Sequence, residues 1–222
     1  MNINPDIARL AALVTEPARA AMLLHLLDGR SWTATELARA AGIRAPATSA
    51  HLKKLVAAEL IRVSPNGRHR YFRLASTGVA QLVEQLQGFA PIQAVATPGQ
   101  RRASEALRTC RLCYDHLAGR LGVELTQSMV RMGWLVEDEP WYRPTDLGLE
   151  SLAGLGVECA PGRTCMDWSE RRLHLAGPLG ARLAQALIGR KVLLRDRKTR
   201  ALRISPLGGE EIRAVFGVSA NT

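Results

Sequence analysis

Two stretches of this chain carry nearly the same text. Residues 111–122 read RLCYDHLAGRLG; residues 163–180 carry RTCMD and then, six residues later than in the first stretch, HLAGPLG. Each is followed by a predicted helix and a two-strand hairpin. Each then has Arg-x-[Ser/Thr]-x-Leu-Gly, from Arg143 to Gly148 and from Arg203 to Gly208, and closes on Gly-Val at 156–157 and 217–218. Self-similarity of this kind marks one supersecondary unit used twice. The copies run over about 108–157 and 160–218, and each reads helix, hairpin, helix, a winged-helix-like order.

The preceding part of the chain has a different texture. Residues 46–74 read PATSAHLKKLVAAELIRVSPNGRHRYFRL. Upstream, Asn4-Pro5 opens a helix as a capping side chain followed by Pro, and a second helix starts near Pro17 and ends at Asp28-Gly29. Thr33 to Glu36 fits a capping box and starts a short helix that ends at Gly42. After the turn Ile43-Arg44-Ala45, Pro46 starts a helix to about Ala58. Leu60–Val63 and Arg70–Leu74 read as strands joined at Pro65-Asn66-Gly67. Ser76 onward is helical to about Val95, with a break at Pro91, and Thr97-Pro98-Gly99-Gln100 reads as a boundary. Residues 101–118 read as a long helix. The predicted organisation is a domain over 1–96, a linker over 97–103 and a duplicated domain over 104–222. The fold class is mainly α with small β wings (α+β): a winged helix-turn-helix followed by two winged-helix-like repeats.

The formal net charge is +10 over 222 residues, which favours a polyanionic partner, and the surplus is local. Arg44, Lys53, Lys54, Arg62, Arg68, Arg70 and Arg73 face one acid, Glu59, in their stretch. Arg190, Lys191, Arg195, Arg197, Lys198, Arg200 and Arg203 face one acid, Asp196. A helix laid in the DNA major groove needs short polar side chains near its N-terminal end. Thr48, Ser49 and His51 sit there, with Arg44 just before the helix and Lys53 and Lys54 placed for phosphates. The wing tip, Asn66, Gly67, Arg68, His69 and Arg70, suits the backbone or the minor groove. The second basic run looks like another wing and reads equally well as a solvated turn.

Residues 9–90 resemble the ArsR/SmtB type of winged-helix repressor. The resemblance rests on Thr35-Glu36-Leu37-Ala38, His51-Leu52-Lys53-Lys54-Leu55, Leu60-Ile61 and Gly67-Arg68-His69-Arg70-Tyr71-Phe72-Arg73-Leu74. It implies a homodimer built on the first and last helices of the domain, a palindromic operator in double-stranded DNA, and release of DNA when an effector binds. The duplicated half looks like a two-domain subgroup of that family. Metal sensors of the family carry a Cys-x-Cys-type motif on the helix before the recognition helix, or His and acidic ligands on the last helix. Here those helices read TELARAA and VAQLVEQL, with neither thiol nor His.

All four cysteines, Cys110, Cys113, Cys159 and Cys165, lie in the second half. Two ligand sets are open. Cys110-x-x-Cys113 on a helix, completed by Cys159 and Cys165, would make a thiolate site for zinc or a similar ion. The repeat pairs Cys113 and His116 with Cys165 and His174, which would make a site of two Cys and two His. More simply, the thiols read as small core hydrophobes; they also read as redox sensors assisted by Arg108, Arg111 and Arg163, or as the lining of an organic-effector pocket. Asp115 and Asp167 would then cap helices or pair with arginines. Trp134, Trp141, Tyr142 and Trp168 line a flat-ligand pocket or fill a core. The effector is therefore open among a small molecule, a metal ion and a thiol oxidant.

The chain holds no Gly-rich nucleotide loop after a strand, no nucleophile elbow and no His-Glu-x-x-His, so it does not read as an enzyme. The N-terminus, MNINPDIARLAALV, lacks a basic n-region, and no apolar run approaches the ~18 residues of a membrane helix. A cytoplasmic protein with reduced thiols and no membrane partner is expected. Beside the effector-switched DNA-binding regulator stands a second reading, constitutive DNA binding with a C-terminal half that only oligomerises.

Overall fold

In the computed structural model, which describes residues 5–91, 97–197 and 199–219, the local signals of the N-terminal half mature into a winged helix-turn-helix. Helix α1 (Ile7–Val14) is capped by the Asp6 side chain, which accepts from the Arg9 N–H. The expected cap Asn4 lies outside the described residues. Glu16 caps α2 (Pro17–Leu26), with Pro17 at the first helical position. A short strand β1 (Trp32–Thr33) leads into α3 (Ala34–Ala41), where both arms of the Thr33–Glu36 capping box form. Gly42 ends α3 at φ +67, a left-handed conformation that glycine adopts without Cβ strain. Helix α4 (Ala45–Ala57) then buries Thr48, Leu52 and Leu55.

The wing is β2 (Ile61–Asn66) and β3 (His69–Leu74), paired antiparallel from Ile61↔Leu74 to Asn66↔His69. Its loop is therefore Gly67-Arg68, with Gly67 at φ +57. The loop sits later than the predicted Pro65-Asn66-Gly67, and Pro65 lies inside β2, opposite Arg70. A positive φ suits Gly67 and is closed to proline, which moves the turn. β1 pairs with β3 to complete a sheet of order β1-β3-β2. Met22, Leu23, Leu26, Leu37, Leu52, Leu55 and Phe72 are buried, each contributing about 1.5–3 kcal/mol of transfer free energy. Helix α5 (Thr77–Phe89) follows.

The compact units divide inside α5, as Met1–Val83 and Glu84–Thr222, rather than at 96/97. Side chains from the end of α5 bond within the second unit: Arg200 Nη2 donates to Gln87 Oε1 at 2.7 Å. The expected linker residues 98–103 are helical, because Pro98 serves as the first residue of α6 (Pro98–Thr109). The expected long helix 101–118 is also shorter than predicted. After α6 the chain forms β4 (Arg111–Cys113) and β5 (His116–Ala118), joined at Tyr114-Asp115 with Tyr114 at φ +64.

Copy one continues with α7 (Gly119–Arg131), β6 (Leu135–Asp138), β7 (Trp141–Pro144) and α8 (Asp146–Gly154). Copy two repeats the order as β8 (Gly162–Met166), β9 (Leu173–Ala176), α9 (Gly177–Gly189), β10 (Leu193–Arg195), β11 (Leu202–Ile204) and α10 (Pro206–Phe216). Each copy is thus hairpin, helix, hairpin, helix. The copies exchange hairpins. β7 of copy one pairs with β8 of copy two through Trp141↔Arg163 and Tyr142↔Gly162, giving a sheet β6-β7-β8-β9. Reciprocally, Arg111 of β4 bridges Ala201, Leu112 donates its N–H to the Arg200 carbonyl at 2.9 Å, and Leu202 donates to the Cys110 carbonyl at 2.9 Å.

One apolar core serves both copies. Leu117, Leu121, Leu125, Met129 and Leu135 of copy one join their repeat counterparts Leu175, Leu179, Leu183, Leu187 and Leu193. The repeated Leu-Gly also has a packing cause. A Cβ on Gly148 would lie 1.9 Å from the Trp134 carbonyl oxygen, and one on Gly208 would lie 2.3 Å from that of Val192. Gly148→Ala is therefore expected to destabilise the second unit by about 1–3 kcal/mol, the usual cost of overpacking. A denaturant midpoint equal to that of the unaltered chain would refute this.

Candidate functional site

The outward face of α4 follows from its spacing. Pro46, Ser49, Ala50, Lys53, Lys54 and Ala57 recur at intervals of three and four and are all exposed, while Leu52 and Leu55 point inward. Arg44, at the N-cap, is exposed and makes no side-chain cap bond. In the wing, Asn66, Arg68, His69 and Arg70 are exposed, with Arg68 Nε donating to His69 Nε2 at 3.3 Å. These side chains offer a basic, hydroxyl-bearing surface at a helix N-terminus and a hairpin tip.

One expected DNA contact is placed elsewhere, and a second is partly engaged within the domain. Thr48 is fully buried and its hydroxyl donates to the Arg44 carbonyl at 3.0 Å, so it braces the turn instead of facing a base. His51 is partly buried, its Nδ1 3.1 Å from Glu16 Oε2. Behind it the buried Arg19 donates to the Leu13 and Ala12 carbonyls at 2.7 Å each, tying the end of α1 to α2. The burial of Thr48 follows from its place on the helix. Thr48, Leu52 and Leu55 sit at i, i+4 and i+7, the stripe that faces the core.

In the second unit the structure brings together Cys113, His116, Cys165 and His174, whose ligand atoms all lie within 4.8 Å of one another. The repeat explains how. Cys113 and His116 are a cross-strand pair in β4–β5, and Cys165 and His174 are a cross-strand pair in β8–β9. The two Nε2 atoms are 3.1 Å apart and the rings stack at 5.1 Å. Cys113, His116 and His174 are buried and Cys165 is partly so.

The other two thiols stand apart. Cys110 is buried in the apolar core after the end of α6, and burial pushes its pKa up to about 12. Cys159 is exposed in the connection between copies. The four-thiolate set and the helical Cys-x-x-Cys are thereby overturned: β4 begins right after Cys110, so the two thiols do not share a helix face.

Around the cluster lies a buried polar frame. Asp167 Oδ2 receives Arg111 Nη2 at 2.8 Å and the Gly119 N–H at 2.6 Å, so copy two caps the start of α7 in copy one. Its other oxygen accepts from the Ser169 N–H, the Ser169 hydroxyl and the Glu170 N–H. Burial works to raise this carboxyl, but Arg111, Ser169 and the backbone N–H groups outweigh it and hold it well below the usual range. Arg111, fully buried, also donates to the Leu107 carbonyl and lies 4.6 Å from the Trp168 ring. Asp115 Oδ1 lies 3.0 Å from His116 Nδ1, and Asp167 Oδ2 lies 4.0 Å from His174 Nδ1. Burial opposes the His116 imidazolium, but Cys113, Asp115 and Glu84 outweigh it and raise it to about 10. Burial and the His116 charge lower His174 well below the usual imidazole range.

Glu84, buried with Oε1 unpartnered, sits beside Cys113 and His116, and sequence reasoning missed it. The signal was an acid in line with the buried Ala80 and Val83 on an otherwise apolar face of α5. Trp134 and Tyr142 are core residues, whereas Trp141 is 40% exposed. A cavity of about 490 Å³ in the second unit is lined by Thr126, Tyr142, Arg131, Arg171 and Arg172 among others, with Tyr142 the only aromatic wall among the described residues. In the second basic run Arg200 is turned inward. Among the described residues no helix is long and apolar enough to cross a membrane.

The helix-turn-helix domain family matches residues 14–64. Over 214 residues, 93% of this chain and 95% of the relative, the chain is 39% identical to the HTH-type transcriptional regulator YdfF of Bacillus subtilis (strain 168). The chain belongs to the helix-turn-helix transcriptional regulators, in line with the ArsR-type resemblance of residues 9–90. Among solved structures it is similar to the transcriptional repressor BigR from Xylella fastidiosa, with 26% identity, a TM-score of 0.36, and coverage of 40% of this chain and 89% of that one. It is also similar to the homodimeric winged helix-turn-helix domain of Mb0332 from Mycobacterium bovis, a possible ArsR-family regulator, with 25% identity, a TM-score of 0.34, and coverage of 39% and 87%.

Proposed function

We propose that this regulator is a dimeric repressor of the ArsR type that reads a palindromic operator through α4 and the wing. An effector bound by the C-terminal unit sets its occupancy, and a metal ion such as zinc is the effector class favoured by the Cys/His cluster. The observation that carries the DNA-binding role is the exposed set Ser49, Lys53, Lys54, Arg68 and Arg70 on one helix and the hairpin after it. Ser49 sits where base edges are reached, and the cations neutralise phosphates.

Fluorescence anisotropy with the duplex upstream of the chain's own gene, against a scrambled duplex of equal length, tests the proposal. Preferential binding that weakens steeply with salt is expected. Equal affinity for both duplexes, insensitive to any effector, would favour constitutive non-specific binding instead.

Dimerisation is supported by α1. None of its residues is buried, and Ile7 is 75% and Leu10 37% exposed, an apolar face suited to a second copy. Ile7→Glu with Leu10→Glu is expected to yield a folded monomer with weakened operator binding. A dimer persisting in sedimentation equilibrium would move the interface elsewhere.

A further inference from the structure

Resting on the regulator reading above, we infer that Cys113, His116, Cys165 and His174 form one closed, four-ligand site for a thiophilic d10 dication of the zinc class, and that the ion staples the two sequence copies together. Each copy supplies one Cys and one His from the same hairpin register, so the donors arrive in pairs related by the duplication. Neither copy alone can complete four-coordination.

The donor set fits such an ion in size. Zinc–nitrogen bonds of about 2.0–2.1 Å and zinc–sulfur bonds of about 2.3 Å place tetrahedral donors roughly 3.3–3.8 Å apart. The imidazole Nε2 atoms are already 3.1 Å apart, and all four donors lie within 4.8 Å. The set also fits in charge. Two thiolates and two neutral imidazoles balance a dication, so the buried site is neutral when loaded, whereas any unpaired charge there is costly. Soft sulfur with imidazole selects zinc-like ions over magnesium or calcium, which take oxygen.

The surroundings fit as well. Metal-bound histidines usually present their second nitrogen to a carboxylate, which fixes the tautomer. Here the outer nitrogens face Asp115 at 3.0 Å and Asp167 at 4.0 Å, each Asp two residues after a cysteine of the site. His174 Nδ1 is buried without a hydrogen-bond partner, so a small shift toward Asp167 would complete that pairing. With four protein ligands, three of them buried, no position is left for a substrate. The site is therefore of the structural or sensing kind rather than the hydrolytic kind. Loading requires deprotonated thiols and neutral imidazoles, so binding releases protons and strengthens with pH.

The test uses the full chain, reduced and stripped by a chelator, titrated with Co2+ as a spectroscopic probe and then with Zn2+. One Co2+ per chain is expected, with the visible bands of a tetrahedral ion and a thiolate charge-transfer band, both bleached by one equivalent of Zn2+. Loading should also raise the melting temperature of the second unit. Cys113→Ser with Cys165→Ser should abolish the bands, and His174→Gln should weaken binding at least tenfold. Cys159→Ser, an exposed thiol, should leave stoichiometry and affinity unchanged. Absence of tetrahedral bands in a folded, reduced chain would overturn the site, as would retention of them by the double serine variant. The serine variants are checked for folding by circular dichroism, and the unaltered chain's titration stands without them. DNA binding is measured separately by anisotropy. Failure to bind Co2+ with operator binding retained would refute this inference alone, and Co2+ binding without operator binding would refute the regulator reading alone.

Discussion

Asp167→Ala is expected to destabilise the second unit by about 3–5 kcal/mol, the usual cost of leaving one partner of a buried ion pair uncompensated. The size follows from what the carboxylate holds. It pairs with the fully buried Arg111, caps α7 through the Gly119 N–H, and organises the β8–β9 loop through Ser169 and Glu170. Replacing Arg111 with Met and Asp167 with Leu together should cost less than Asp167→Ala alone, because no charge is then stranded. Urea unfolding of both variants against the unaltered chain measures the difference; a loss below about 1 kcal/mol for Asp167→Ala would show that the pair is not organising this unit.

The same carboxylate predicts an acid dependence. Its native pKa is depressed below the unfolded value near 3.9. Its contribution is therefore complete above that value and is lost as pH falls through the acid range. Between about pH 4 and pH 2, the unaltered chain should lose stability more steeply than the Asp167→Ala variant. Parallel profiles would contradict the assignment.

The second large effect is on DNA. Lys53→Ala, Lys54→Ala and Arg68→Ala together should flatten the dependence of log affinity on log salt by about three, roughly one per phosphate contact removed. Affinity should fall for operator and scrambled duplex alike, since such contacts position the protein without reading sequence. Ser49→Ala, by contrast, should narrow the difference between the two duplexes while leaving the salt slope in place. An unchanged slope for the triple variant would mean that α4 and the wing are not the DNA surface.

Much was legible before folding was considered, for reasons that are local. The Thr33–Glu36 capping box and the Gly42 stop specify α3 through hydrogen bonds three residues apart. The Asn-Gly-Arg wing and the Leu-Gly repeats follow from φ requirements and tight backbone approaches. The repeat also singled out Cys113, His116, Cys165 and His174 as equivalent pairs, because equal sequences place equal side chains at equal registers. It left that set beside the four-cysteine one, since spacing along a chain does not say which thiols meet.

Only the tertiary structure made that choice. The stretch 110–118 is short and apolar, and its pattern suits a helix as well as a strand. Pairing with Ala201 and Arg200, some ninety residues away, draws it into strands. Cys110 is thereby sent to the core and Cys113 to the cluster. Long-range packing likewise buried Thr48, turned His51 to Glu16, and set Glu84 beside Cys113. The sequence by itself determined the helix-turn-helix, the wing and the duplicated unit, because these rest on contacts within a few residues. The fold decided the hairpin exchange, the Arg111–Asp167 frame and the four converging donors, because burial and strand pairing between distant segments are settled only when the two copies close on one core.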